Sequence, residues 1–221
     1  MPPRHSPPHS PGHFAATLRH LYTRGPLTLR LLQHYRPYIC PFELLIPHVP
    51  PNARLLDVGC GGGLWLHLLA DMGLIAAGVG FDSAAPAIEI ARGVAVPPAT
   101  AAKLDFRHLP VEAPWPEGPF DAISVIDVMH HVPPAAQAGV IASAAQRLAP
   151  GGVLIYKDMV RRPHWRAGMN RLHDLVMARQ WIHYAPIKSV EHWATAAGLT
   201  LVHSAHASRL WYGHELRVFR R

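Results

Sequence analysis

Three features of the chain predict an α/β fold. Short apolar stretches alternate with amphipathic ones, a glycine cluster follows the first apolar stretch, and the last two stretches of strand character have no helix between them. Alternation of this kind implies a parallel sheet with right-handed crossovers. Two strands joined without a crossover must pair antiparallel. The predicted architecture is therefore a Rossmann-like, doubly wound sheet, mostly parallel, with a C-terminal antiparallel strand.

Each element has its own signal. Residues 1–13 are rich in Pro, Ser and His and read as a disordered tail. Residues 14–49 read as a helical cap, with a break near Gly25-Pro26 and a short helix ending before Pro47. This cap stands in front of the first strand, where it can cover a ligand. Residues 50–221 read as one larger domain. Its first strand spans 54–58, and the helix over 63–72 ends at Gly73, which suits a left-handed C-cap. A second strand, 75–81, ends at Asp82. Ser83 is expected to cap an alanine-rich helix reaching about 93. A weak strand over 102–106 and a proline-rich loop over 109–119 follow. A strand over 120–126 then leads to a helix over 134–148, stopped by Pro150-Gly151-Gly152. The next strand is 153–157. A helical lid insertion occupies about 160–186, and Ser189 is expected to cap a helix ending at Gly198. Strands over 199–205 and 214–220 close the chain.

Composition bounds the function. The chain has 221 residues, enough for one α/β core with additions. No apolar run reaches the roughly 18–20 residues that span a bilayer, and the N-terminal stretch lacks the apolar segment of a secretory signal. A cytoplasmic protein is the expectation. Cys40 and Cys60, the two cysteines, give no metal-ligand spacing and no disulfide framework, so no metal site is expected. The formal net charge is +7, with 17 histidines besides. Nucleic acid, an anionic surface or an acidic substrate all suit such a balance.

The residues around the glycine cluster narrow the ligand. The run Leu55-Leu56-Asp57-Val58-Gly59-Cys60-Gly61-Gly62-Gly63 reads as a buried strand, a tight turn and the start of a helix. Gly59 and Gly61 alone are a weak signal. The dinucleotide fingerprint needs a third Gly or Ala where Leu64 stands, and the Gly-Lys-Ser/Thr of a P-loop is absent. Asp57 would repel a phosphate and suits a cationic group. Asp82, at the end of the second strand, can accept both hydroxyls of a ribose. A ligand with a ribose and an ammonium but no phosphate fits S-adenosylmethionine.

With these residues the chain resembles the class I S-adenosylmethionine-dependent methyltransferases. Asp57-x-Gly59-x-Gly61-x-Gly63 is similar to their first motif, and Gly78-Val79-Gly80-Phe81-Asp82 to their second. Phe120-Asp121-Ala122-Ile123 and Asp127-Val128-Met129-His130-His131-Val132 resemble their fourth strand and the segment bordering the methyl donor. Leu148-x-Pro150-Gly151-Gly152 resembles the turn before their fifth strand. The resemblance implies S-adenosylmethionine as cofactor, held by Asp57, Gly59, Gly61, Gly63, Asp82, Ser83 and Asp127. The family's adenine-binding Asp is missing: its place falls at His108-Leu109, before Pro110. His108, Leu109 or Glu112 can take that role, or Asp105 if the loop is shifted.

Methyl transfer to oxygen or an acidic carbon needs a base near neutral pKa, and histidine is the usual choice. His130 and His131, just past the fourth strand, are the candidate catalytic residues, with Asp127 able to hold the donor or orient a histidine. The 161–184 stretch supplies an apolar face and a basic one. Arg166, Arg171, Trp181 and Tyr184 are its candidate substrate contacts. The expected partner is a small or medium acceptor, anionic, carrier-bound or lipid-like. Two other readings stand beside this one: an RNA methyltransferase, or a non-catalytic S-adenosylmethionine-binding protein. The missing Asn/Asp-Pro-Pro-aromatic signature after the fourth strand argues against nucleic acid as the partner.

Overall fold

The computed structural model describes residues 10–24, 26–94, 102–160, 183–210 and 212–221. In it seven strands form a single sheet: β1 (Ala53–Val58), β2 (Ile75–Asp82), β3 (Lys103–His108), β4 (Phe120–Ile126), β5 (Leu148–Met159), β6 (Thr200–Arg209) and β7 (Tyr212–Arg220). Their order across the sheet is β3-β2-β1-β4-β5-β7-β6. The first five pair parallel, and β7 runs antiparallel to both β5 and β6. The expected mostly parallel sheet with an antiparallel C-terminal strand is what forms.

Helices cover both faces: α1 (Pro11–Leu21), α2 (Leu27–Ile39), α3 (Phe42–Leu45), α4 (Leu64–Asp71), α5 (Ala85–Gly93), α6 (Pro134–Arg147) and α7 (Ile187–Ala196). Successive strand residues point to opposite faces, and β1 shows the consequence. Leu55 joins a core with α1, α3 and α4, whereas Leu56 joins one with α6 and α7. A strand apolar on both sides is buried on both sides. This puts the C-terminal ends of β1 and β4 side by side at the centre of the sheet. There the chain order reverses, and open α/β sheets bind ligands at such a switch point.

Several boundaries differ from the sequence reading. The helix α1 starts at Pro11, inside the stretch read as tail. Ser10 caps it by accepting from the His13 N–H at 3.2 Å. Ser83 does not cap α5. Asp82 accepts the Ala84 N–H at 2.8 Å instead, and the helix begins at Ala85. Ser189 lies inside the first turn of α7, which starts behind Pro186. β5 begins at Leu148. Gly151, with φ of 77°, takes up a register shift between Phe120 and Ala122, so Pro150-Gly151-Gly152 is a bulge within a strand. Asp121 accepts the Arg54 N–H at 2.8 Å and ties the start of β4 to the start of β1, as a structural acid would.

Candidate active site

Two adjoining cavities open at the switch point. One, of about 550 Å³, lies between the ends of β1 and β2 and the loop after β4; Asp82, Ser83, Val111 and Glu112 are among its walls. The other, of about 360 Å³, extends under the cap and is lined by Arg36, Phe42, Trp65, Asp57, His130 and His214, among others. Gly59, Gly61, Asp127 and His131 line both.

The turn between them is built by close approach. Gly59 has φ of 66°, and a Cβ on it would lie 2.4 Å from Val128 Cγ2. Only glycine allows that backbone and that contact. Val128 follows Asp127, itself in the left-handed region with φ of 55°. Gly61 donates its N–H to Asp82 Oδ2 at 2.8 Å, which ties the turn to the end of β2. Tyr22 from the cap donates its hydroxyl to the Gly62 carbonyl at 2.7 Å, deep in the protein. Replacing Tyr22 by Phe leaves that buried carbonyl unpaired, at a cost of about 1–3 kcal/mol. Thermal unfolding should show the loss, and a titration should show weaker ligand binding by the loosened turn.

Asp57 is buried at the floor of the turn, where Ser124 Oγ donates to its Oδ1 at 2.6 Å. Burial disfavours its charge, Ser124 partly restores it, and nearby Asp82 opposes it. The net effect pushes its pKa up to about 7. A cationic ligand group beside it would supply the missing counter-charge. Cys60 is no nucleophile, because burial and the two acids push its thiol far up.

Asp127 anchors a second charged cluster. Lys157 Nζ lies 2.6 Å from both its oxygens, and Arg36 from α2 donates to Oδ2 at 2.7 Å. Burial alone would favour the neutral acid, but Lys157 and then Arg36 outweigh it and hold the carboxyl well below its ordinary range. Lys157 is only 1% exposed. Replacing it by Met leaves Asp127 to Arg36 alone, a partner on the cavity wall. This should cost about 3–5 kcal/mol of unfolding free energy in a denaturant titration.

The histidine pair completes the site. His130 is buried, with Nδ1 at 2.5 Å from Asp158 Oδ1 and its backbone N–H on Oδ2 at 3.1 Å. The carboxylate fixes the proton on Nδ1, which makes Nε2 the basic nitrogen. His131 packs beside it at a tilt of 49°, with ring centroids 4.1 Å apart. Burial first, then His130, push its pKa down to about 4, so it is neutral at physiological pH. At the far end of the cleft Trp65 stacks on Phe42 at 5.5 Å. Trp65 Nε1 is buried with no hydrogen-bond partner among the described residues, and the buried His214 ring has only a poorly aligned approach to the Ile39 backbone. Burial and Lys157 push the His214 pKa down to about 3. Tyr212 and Met159 line the same end.

Of the residues singled out from sequence, Asp57, Gly59, Gly61, Asp82, Ser83, Asp127, His130 and His131 meet in these cavities. Gly63 does not line them. It starts α4, and a Cβ there would strike Phe106 at 2.7 Å, so it serves packing. His108 and Leu109 also stand outside: His108 Nε2 sits 3.0 Å from the Ser83 carbonyl, and Leu109 donates its N–H to the Asp82 carbonyl. They brace the loop that carries Asp82, and Glu112 is the alternative that reaches the cavity. Asp105 pairs with Arg107 on β3. Tyr184 is half-buried next to His183, whose N–H donates to the His130 carbonyl at 2.7 Å. Arg166, Arg171 and Trp181 lie outside the described residues. Sequence reasoning missed Arg36, Trp65 and His214. A buried-strand lysine followed by an acid, Lys157-Asp158, was the available signal that charged partners converge here.

Residues 32–204 match a family model described as a methyltransferase domain. A ubiquinone biosynthesis O-methyltransferase from Xanthomonas campestris pv. campestris is 36% identical over 115 residues, covering 51% of this chain and 46% of that protein. Its counterpart in Alkalilimnicola ehrlichii is 31% identical over 156 residues, covering 67% and 61%. The chain thus spans about half the length of the curated relatives it matches. Among solved structures, a methyltransferase from Methanosarcina mazei superposes with a TM-score of 0.66 at 17% identity, covering 80% of this chain and 96% of that one. Magnesium protoporphyrin IX methyltransferase from Synechocystis PCC 6803, solved with S-adenosylmethionine, gives 0.63 at 17% identity, covering 92% and 88%. With the family model spanning well over half of its length, the chain belongs to the class I S-adenosylmethionine-dependent methyltransferases.

Proposed function

We propose that this protein transfers a methyl group from S-adenosylmethionine to a hydroxyl of a small, planar, aromatic acceptor. The observation that carries the reading is one continuous cleft. Asp82 lines one part of it, the glycine turn, Asp127 and His131 line both parts, and buried Asp57 and the oriented His130 line the part walled by Phe42 and Trp65.

The residues suit the donor. Asp82 and Glu112 would take the ribose and base side, and Asp57 the ammonium. Arg36, a cation on the cavity wall, would face the methionine carboxylate. When bound, the donor supplies an electrophilic methyl on a sulfonium, which needs alignment more than activation. The chain does the rest. Asp158 keeps the His130 proton on Nδ1, and Nε2 accepts the proton of the acceptor hydroxyl as the oxygen attacks. Neutral His131 donates or accepts a hydrogen bond without competing for that proton. Phe42, Trp65 and Tyr212 give a flat apolar wall, while Trp65 Nε1 and neutral His214 offer hydrogen bonds to polar groups on the ring. The names of the ubiquinone-pathway O-methyltransferase relatives agree with oxygen as the acceptor atom.

The test is a product assay with protocatechuate and caffeate as probes. Wild-type protein should yield O-methylated products. Trp65→Phe and His214→Phe should raise the acceptor KM by about tenfold each, as one hydrogen bond is worth, with donor affinity unchanged. N-methylation of an amine probe in preference to either phenol would sink the hydroxyl reading.

A further inference from the structure

We infer that the outer face of α2 is a docking surface for an anionic lipid bilayer. The helix has two dissimilar sides. One turns Gln33, Arg36 and Ile39 to the cleft. The other carries Leu27, Leu31, Tyr35 and Tyr38, spaced i, i+4, i+8 and i+11, which is a single stripe on a helix. All four are exposed, Leu27 at 67% and Tyr35 at 59%. Large apolar side chains in a row on an otherwise well-packed protein mark an interaction site.

Charge selects the occupant. No Asp or Glu occurs before Glu43, whereas the same stretch holds Arg4, Arg19, Arg24, Arg30 and Arg36. Arg19, His20 and Arg24 are exposed on α1 and the loop that leads into α2. An apolar stripe on an acid-free, arginine-flanked helix is the pattern of a helix lying in a lipid interface. A second copy fits worse. The exposed Arg19 and Arg24 that precede the helix favour an anionic partner over an identical basic one, and four side chains on one helix cover too little area for a stable dimer. Among the described residues no helix is long and apolar enough to cross a membrane, so the contact is peripheral. Leu210, in the turn held to α3 by the Arg209–Glu43 ion pair, is a further exposed apolar side chain.

The experiment is co-sedimentation of the full chain with phosphatidylcholine vesicles and with vesicles of equal parts phosphatidylcholine and phosphatidylglycerol. Binding is expected on the anionic vesicles and not on the neutral ones. It should weaken by roughly tenfold or more in Leu31→Glu, and similarly in the doubly substituted Arg19→Glu/Arg24→Glu protein or in high salt. These positions lie outside the cleft, so S-adenosylmethionine binding should persist in both variants and report their folding. Equal binding to the two vesicle types, or variants that bind like wild type, would overturn the inference. So would failure to bind either vesicle by a protein that sediments as a dimer and becomes monomeric in Leu31→Glu, since that assigns the face to a second copy.

Discussion

Asp57→Asn should raise the dissociation constant for S-adenosylmethionine about a hundredfold. The acid is buried, and among the described residues its one side-chain partner is the Ser124 hydroxyl and no cation neutralises it. A ligand ammonium there gains a charge-assisted bond in a site shielded from water, worth about 3 kcal/mol. Wild-type binding should also depend on pH. Only the carboxylate attracts the ammonium, and the carboxyl in the ligand-free protein titrates at about 7. Donor affinity should therefore fall as pH drops below 7, approaching tenfold per unit, and flatten above it. Stability should move the other way. The folded-state pKa lies above the ordinary value of 3.8, so the folded chain binds this proton more tightly than the unfolded one. That contribution is present at low pH and is lost as pH rises through 7. Ligand-free Asp57→Asn should match wild type near pH 4 and exceed it by up to about 4 kcal/mol at pH 8. Calorimetric titration and thermal unfolding at both pH values check the two halves.

His130→Gln should lower kcat by about 10²–10³ while leaving donor affinity intact, as removal of a positioned base does. The size follows from the geometry: the ring is buried, and Asp158 grips it twice, through Nδ1 and through the backbone. Asp158 acts through His130 and is a positioning residue. Its carboxylate raises the basicity of the ring, so Asp158→Asn should lower the maximal rate by roughly tenfold. The acidic limb of the pH–rate profile should shift to lower pH at the same time. A merely structural role would reduce the rate without moving that limb. His131→Gln should cost less, because that ring is neutral and no carboxylate among the described residues orients it.

The two halves of the cleft differ in how they are written in the chain. The donor half is local: Asp57, Gly59 and Gly61 are consecutive motif positions, and Asp82 ends the adjacent strand. Each is demanded by backbone conformation or charge, so their spacing betrays them. The rest of the cleft is assembled across the fold. Arg36 reaches Asp127 over 91 residues and Lys157 over 30, pairings that no periodicity encodes. His214 reaches the cleft only because β7 inserts beside β5. Local misreadings had local causes. Ser83 looked like a cap, but the helix begins only at Ala85, with Pro86 in its first turn offering no N–H, and Asp82, already bound to Gly61, takes the Ala84 N–H ahead of it. Gly63 looked like part of the ligand cradle because it continues the glycine spacing; its lack of a side chain is needed by Phe106 instead.

The most direct test of the cleft as a methyl-transfer site follows a tritium-labelled methyl group from S-adenosylmethionine into protocatechuate in a single turnover. Label should move to the extractable phenol in wild type, slow by about two orders of magnitude in His130→Gln, and fail at ordinary donor concentrations in Asp57→Asn. Saturable donor binding with all of the label retained on the donor, in the presence of hydroxylated aromatic probes that occupy the cleft, would contradict it.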